Sequence, residues 1–335
     1  MRVLITGSSG FVGHYIVKNL VEKAEVTDVV GLERLTYSGD LSRPYEILAD
    51  SENRKKYSVI HHDLRSEIGD ILNNRLGQFD YIIHVGASTH VDRSITDPMS
   101  FVLDNVVATC NILNFARKQT NLKKFIYFST DEVFGPAAPG IYHDEYDVYN
   151  SGNPYSATKA GGEELAVAFR NTFKVPVYIT HTMNIFGPRQ HPEKYVPMCI
   201  KKIFNGETIF IHSDSTKTIP GSRFYIHLED VASAIWFVMN IQDDVQFPAG
   251  KCPKLNIVGK EETTNLELAQ YVADALSKPL HYEFVDFHSS RPGHDLRYAL
   301  SGKRMESMGW VPANTISERI TEVVKWYLAN PMWLS

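Results

Sequence analysis

The stretch ITGSSGFVGHYIV, residues 5–17, decides the fold. It runs on from an apolar, β-branched segment, RVLIT (2–6), and straight into a helical pattern over 11–23, with Gly7, Gly10 and Gly13 across the joint. Glycines at a strand-to-helix turn allow a tight bend and let backbone amides approach a pyrophosphate at the helix N-terminus, where the helix dipole favours negative charge. Taken alone, the pattern fits an ordinary turn equally well. What favours a nucleotide is Glu33, in GLERLTYSG, which ends the next apolar run about 20 residues further on, where a carboxylate can accept from a ribose hydroxyl. That carboxylate would repel a 2′-phosphate, which favours NAD over NADP. Arg34, beside it, pulls the other way. Asp63, ending a third run, reads equally as an adenine-edge contact or as a turn cap.

Working outward, YSVIHHD (57–63), DYIIHVGA (80–87), KFIYFST (124–130) and VPVYITHT (175–182) continue the series of strands, with helix-length segments at 101–119 and 155–173. Runs of β-branched residues without alternation indicate strands covered on both faces. The expected fold is therefore α/β: a Rossmann-type doubly wound parallel sheet with a smaller mixed α/β substrate-binding lobe. The first unit spans 1–183 with a returning segment near 224–250, and the second, interleaved with it, spans 184–335.

The totals agree with a globular enzyme. Of 335 residues, 43% are hydrophobic, enough for a large core, and a formal charge of −5 argues against a general nucleic-acid binder. Cys110, Cys199 and Cys252 show no paired spacing, so neither a metal site nor a disulfide framework is expected. With a strand opening at residue 2 and no apolar run of bilayer length, the expectation is a cytoplasmic protein without a signal peptide or membrane association. HHD (61–63) lacks companion ligands at metal spacing, and the aromatic residues of VVKWYLANPMWL (323–334) read as packing.

Two segments carry chemistry. YFSTDEVFG (127–135) places Asp131 and Glu132 side by side at the exit of a buried strand, which is either a solvated turn or a site of proton transfer. NPYSATKAGGEEL (153–165) opens a helix, with Asn153 as cap and Pro154 at its first position. Tyr155 and Lys159 then share one side of it, where an ammonium would favour the phenolate.

The glycine spacing, Ser129-Thr130 and Tyr155-x-x-x-Lys159 together resemble the extended short-chain dehydrogenase/reductase superfamily. ASTHVDRSITDP (87–98), STDEVFG (129–135), PYSATKAGGE (154–163), NIFGPRQHPEKYVP (184–197) and RPGHDLRYAL (291–300) resemble, more narrowly, its nucleotide-sugar 4,6-dehydratases of the dTDP-glucose type. The resemblance implies a lyase with tightly bound NAD. Tyr155 would take the C4 hydroxyl proton as C4 hydride leaves, with Thr130 on O4. Glu132 would remove the C5 proton, Asp131 would protonate the departing C6 hydroxyl, and Lys159 would tune Tyr155 and hold the nicotinamide ribose.

The cofactor set so implied is Gly7, Gly10, Phe11, Val12, Gly13, Glu33, Arg34, Thr36, Asp63, Leu64, Val85, Ala87, Ser88, Tyr155 and Lys159. The substrate set is Asn184, Lys194, Tyr195, Phe210, His212, Arg223, Asn256, Arg291 and His294. A homodimer through the helices at 101–119 and 155–173 is also implied. Departures concern the pocket rather than the acid–base set: Ile185 replaces an amide, Phe224 stands where an acid is common, and the loop 213–222 is long. The base and sugar therefore stay open between dTDP- or UDP-glucose and UDP-N-acetylglucosamine (4,6- or 5,6-dehydration). A 4-epimerase and a non-catalytic NAD-binding scaffold are the other readings.

Overall fold

The computed structural model describes residues 1–242, 247–286 and 296–335. Its centre is a seven-stranded sheet built from β1 (Arg2–Thr6), β2 (Asp28–Glu33), β3 (Tyr57–His61), β4 (Tyr81–His84), β5 (Lys124–Thr130), β6 (Val177–Thr182) and β11 (Lys254–Ile257). The order is β11-β6-β5-β4-β1-β2-β3, and every neighbouring pair is parallel. The order reverses at β1, and the crevice beyond the strand ends at such a reversal is where α/β sheets bind ligands.

Alternation along β1 shows how the two faces are covered. Val3 and Ile5 pack into one core cluster, with Ile16 and Leu20 of α1 (Gly13–Val21) and with Val231 and Ile235 of Leu228–Asn240. Leu4 faces the other way, into a cluster with Ile112, Leu113, Ala166 and Phe169. Those residues belong to α2 (Pro98–Ala116) and α3 (Pro154–Phe173). The long helix α2 is not uniform: one wide, π-type turn, Leu103–Val107, interrupts it.

Beyond residue 183 the chain does two things. Leu228–Asn240 and β11 return to the sheet, β11 as an edge strand that the sequence reading did not assign to it. The remainder forms a separate apolar cluster from Tyr195–Phe204, Asn265–Leu276 and Ile316–Ala329. This cluster supports β8 (Ile209–Ser213), which is paired in parallel with β13 (Tyr282–Asp286). Trp326 and Trp333 pack here too. Cys110, Cys199 and Cys252 form no disulfide among the described residues.

Candidate active site

The ends of β1, β2 and β4 open on a groove of about 1220 Å³ including its mouth. Gly7, Gly10, Phe11, Val12 and Gly13 line it, with Glu33, Arg34, Thr36, Asp63, Leu64, Val85, Ala87 and Ser88. Close backbone approach explains the glycines. A Cβ on Gly7, which sits at φ +72, would lie 2.8 Å from the Gly86 backbone, and one on Gly13 would lie 2.0 Å from the Gly7 carbonyl. Glu33 does more than face the groove. Its Oε1 accepts from Ser8 Oγ (2.7 Å) and from the Ser9 amide (3.0 Å), tying the glycine loop to the end of β2. Burial raises its carboxyl above the ordinary range, and the bonds from Ser8 and Ser9 oppose the rise. A glycine floor, a helix N-terminus and an acid at the ribose position are the donor set a dinucleotide needs.

The second group of residues lies deeper than the groove. β5 ends at Thr130, whose Oγ1 donates to Asp131 Oδ1 (3.0 Å) and accepts from the Glu132 amide (3.4 Å), starting a short 3₁₀ turn, Asp131–Phe134. Across from it, Asn153 caps α3 by accepting from the Ser156 amide (2.9 Å), and its Nδ2 donates to Glu132 Oε2 (3.2 Å). One side chain thus fixes both the helix start and the second acid. Asp131 Oδ2 is buried with no hydrogen-bond partner among the described residues. Burial raises Asp131 to about 6, against the charge of Arg223. Burial and the neighbouring Asp131 raise Glu132 to about 7. Both acids thus gain a proton affinity suited to work near neutrality.

Tyr155 is buried at the same place. Its phenol is pushed up by burial and by the charge of Glu132, and hydrogen bonding with Thr130 works the other way. The charges of both acids therefore reach the phenol. Lys159 is placed differently from what the resemblance implies. Its Nζ donates to the Phe128 carbonyl (2.6 Å) and lies 4.4 Å from the Tyr127 ring centroid, and its charge is not among the influences on Tyr155. Burial lowers Lys159 to about 8, and the charge of Glu163 opposes this. Neither Tyr155 nor Lys159 lines the groove. Lys194 links the two regions: it lines the groove, and its charge reaches Glu132.

Beneath the acids lies a knot with no forewarning in the sequence. Glu163 of α3 is fully buried and accepts from Ser129 Oγ of β5 and from Tyr149 Oη. His181 Nε2 lies 3.1 Å from it and Lys254 Nζ 3.6 Å. Against its burial, His181, Lys254 and Ser129 hold it down at about 2. Asn256 belongs to this knot, and its expected role as a substrate contact is corrected: it is wholly buried, Oδ1 meets His181 Nδ1 (3.0 Å), and Nδ2 donates to the His143 (3.1 Å) and Ser301 (3.2 Å) carbonyls. Tyr195 is similarly committed, donating its hydroxyl to the Asn265 carbonyl (2.7 Å) within the second cluster.

The other expected substrate residues are scattered around the acids. Arg223 is half-buried, stacks 4.6 Å from the Tyr298 ring centroid, and lowers both acids by its charge. Asn184 has an exposed side chain, and its carbonyl accepts from the Ile226 amide (3.0 Å). Phe210 and His212 share one face of β8, with Phe210 49% exposed. Arg291 and His294 lie outside the described residues.

Several groove residues escaped the sequence reading: Tyr37, Arg43, Asp104, Gln190, His191 and Glu193. Glu193 lies 3.3 Å from Arg93, 3.7 Å from His90 and 3.6 Å from His191. Gln190, His191 and Glu193 fall inside NIFGPRQHPEKYVP and Tyr37 inside GLERLTYSG, whereas Arg43 and Asp104 lie in no such motif and reach the groove by long-range folding.

Comparison with known proteins bears on this geometry. The family model described as GDP-mannose 4,6 dehydratase matches residues 4–323. A dTDP-glucose 4,6-dehydratase of Salmonella typhimurium is 33% identical, with 100% of this chain and 95% of that protein covered. The low-salt glycan biosynthesis protein Agl12 of Haloferax volcanii is also 33% identical, over 98% of this chain and 99% of that protein. Among solved structures, the dTDP-glucose 4,6-dehydratase DesIV of Streptomyces venezuelae, crystallised with NAD and TYD, superposes with a TM-score of 0.86 at 30% identity, covering 99% of this chain and 98% of the other.

Proposed function

This chain belongs to the GDP-mannose 4,6 dehydratase family, and from that premise we propose that it is an NAD-dependent hydro-lyase turning a nucleoside-diphosphate hexose, dTDP-glucose first, into the 4-keto-6-deoxy sugar nucleotide. The observation that carries the reading is the adjacent pair of buried Asp131 and half-buried Glu132, whose charges reach Tyr155 and which are raised to about 6 and about 7. A fold kept only to bind nucleotide has no use for such a pair, and an epimerase that only oxidises C4 needs neither acid.

NAD, which Gly7, Gly10, Gly13 and Glu33 would hold in the groove, would supply the hydride acceptor for C4 and the donor for C6. Tyr155, as its phenolate, takes the proton of the C4 hydroxyl, and Thr130 orients that oxygen. That form would have to be favoured by the positive charge of bound NAD, against the burial and the Glu132 charge that push the phenol up. The C4 ketone acidifies the proton on C5. Glu132, the base of the pair, removes that proton. Asp131 delivers its own proton to the C6 hydroxyl, which leaves as water. Two neighbouring acids can divide these duties because a charge on one disfavours ionisation of the other, so the pair holds one proton between them over a range of pH. Arg223 offsets negative charge at the same end.

The test incubates purified protein, without added nucleotide, with dTDP-, UDP-, CDP- and GDP-glucose, and follows loss of water by mass spectrometry. Deuterium placed at C4 of the accepted substrate is expected at C6 of the product. Label retained at C4, or lost to solvent, rules out the hydride path.

A homodimer in the cytoplasm completes the proposal. α2 is long and apolar enough to cross a membrane by length and composition, yet only 44% of its most apolar window is buried within the chain. Its half-buried Val102, Leu103, Val106 and Val107, beside Leu165 and Ala168 of α3, form an outward apolar strip suited to a second copy. Sedimentation of a Val106→Asp variant as monomer, against a dimeric parent, is the expected result.

A further inference from the structure

One arginine stands at the ribose end of the groove, and a second is tied to the same carboxylate. Arg34 follows Glu33 at the end of β2 and lines the groove, and Arg65 lies two residues beyond Asp63. An arginine at this place is what lets a Rossmann site accept NADP. Both are already engaged. Asp104 Oδ1 accepts from Arg34 Nη1 (2.7 Å) and from Arg65 Nε (2.6 Å). Its Oδ2 accepts from Arg34 Nη2 (3.0 Å) and from Ser88 Oγ (2.7 Å). Four bonds fill the carboxylate, and the planar fork of Arg34 is spent in a bidentate pair. Asp63, 3.6 Å from Arg34, adds a further negative charge. With Glu33, three carboxylates then face two guanidinium groups, and the ribose end is net negative.

The placement of Asp104 is a built feature. The wide turn Leu103–Val107 carries two consecutive buried polar residues, of which Asp104 lines the groove. The second, Asn105, accepts from the Ser88 amide (2.8 Å) and donates to the Ser88 carbonyl (3.0 Å) and to Thr158 Oγ1 (3.0 Å). Asp104 is therefore held in register with both Ser88 and α3.

We propose that Asp104 selects the cofactor: by locking Arg34 and Arg65 it denies a 2′-phosphate its partners and holds the site to NAD over NADP. This rests on the reading of the groove as a dinucleotide site.

Fluorescence titration of the full-length protein with NADH and NADPH, with chromatography of the nucleotide released on denaturation, tests it. The parent is expected to prefer NADH by ~100-fold or more, and Asp104→Asn to narrow that ratio at least ~10-fold through tighter NADPH binding. Adding Arg34→Ala to Asp104→Asn should abolish the gain. Asp104→Thr, which keeps a hydroxyl for Ser88, should narrow the ratio in the same direction and serves if the asparagine variant does not fold. An unchanged ratio in a variant with a native melting curve overturns the proposal. So does Arg34→Ala alone selectively weakening NADPH, since the guanidinium would then already be available. A parent that binds both nucleotides equally overturns it too, whereas one that binds neither overturns the dinucleotide reading itself.

Discussion

Two carboxylate sites share the junction of β5 and α3, and burial has opposite consequences in them. Asp131 and Glu132, at the exit of β5, are raised to about 6 and about 7. Glu163, on the side of α3 that meets β5, is held at about 2. Desolvation acts upward on all three, so the difference lies in the partners supplied. Glu163 has a cation, a histidine and two hydroxyls, whereas one oxygen of Asp131 has none among the described residues. Burial fixes how much a partner matters, and partner supply fixes the sign. A saturated carboxylate holds strand to helix, and a starved one is left able to exchange protons.

The largest expected effect breaks the comparison at its reactive end. Glu132→Gln should slow water elimination by ~10³-fold, about 4 kcal/mol of barrier, with bound NAD retained. Normal turnover in that variant would assign the base elsewhere.

At the saturated end, Glu163→Gln should lower unfolding stability in urea by about 3 kcal/mol near neutrality, since it leaves Lys254 and His181 facing a neutral amide. Glu163 has a folded pKa below the unfolded 4.5, so its contribution is present above that value and lost as pH falls toward 2. The deficit of the variant should therefore shrink in acid.

Asp131→Asn should do the reverse. Its folded pKa of about 6 lies above the unfolded 3.8, so the stability it contributes is full below the lower value and lost as pH rises through the higher. The asparagine variant is expected to be inactive yet more stable than the parent by ~2 kcal/mol at ~pH 8, with no difference at ~pH 4. A melting curve unchanged at both would show that the unpartnered oxygen carries no cost.

The smallest effect is expected at exposed Phe210 on β8. Phe210→Ser should change stability by less than ~0.5 kcal/mol. If the residue borders the sugar-nucleotide path, KM should rise while kcat holds.

The sequence announced the features whose signal is local. Gly7, Gly10 and Gly13 follow from a turn too tight for side chains, and β1, β2 and β5 fall on the segments read from their apolar runs. Asp131, Glu132 and Tyr155 were legible because their spacing matches a known pattern. What stayed hidden depends on tertiary contact. Glu163 reads as one of two ordinary helix acids until β5, β6 and β11 close around it. Asn256 aligned with a substrate contact, but burial under His143 and Ser301 spends its whole amide. Lys159 shares a helix face with Tyr155, yet its long chain reaches the Phe128 carbonyl instead. Arg34, read in sequence as a possible phosphate ligand, is balanced by a residue 70 positions away.

The wide turn Leu103–Val107 has one more consequence, for how such a protein changes over generations. It carries one residue more than the regular helix on either side would need. Deleting a single codon there would let the ladder close with the regular turns on either side still in register, so that the residues of the turn itself would face differently. Asp104 would swing off the guanidinium groups while the second half of the helix kept its seat. A change in length, with no substitution at all, would be enough to redraw the polar wall of the groove.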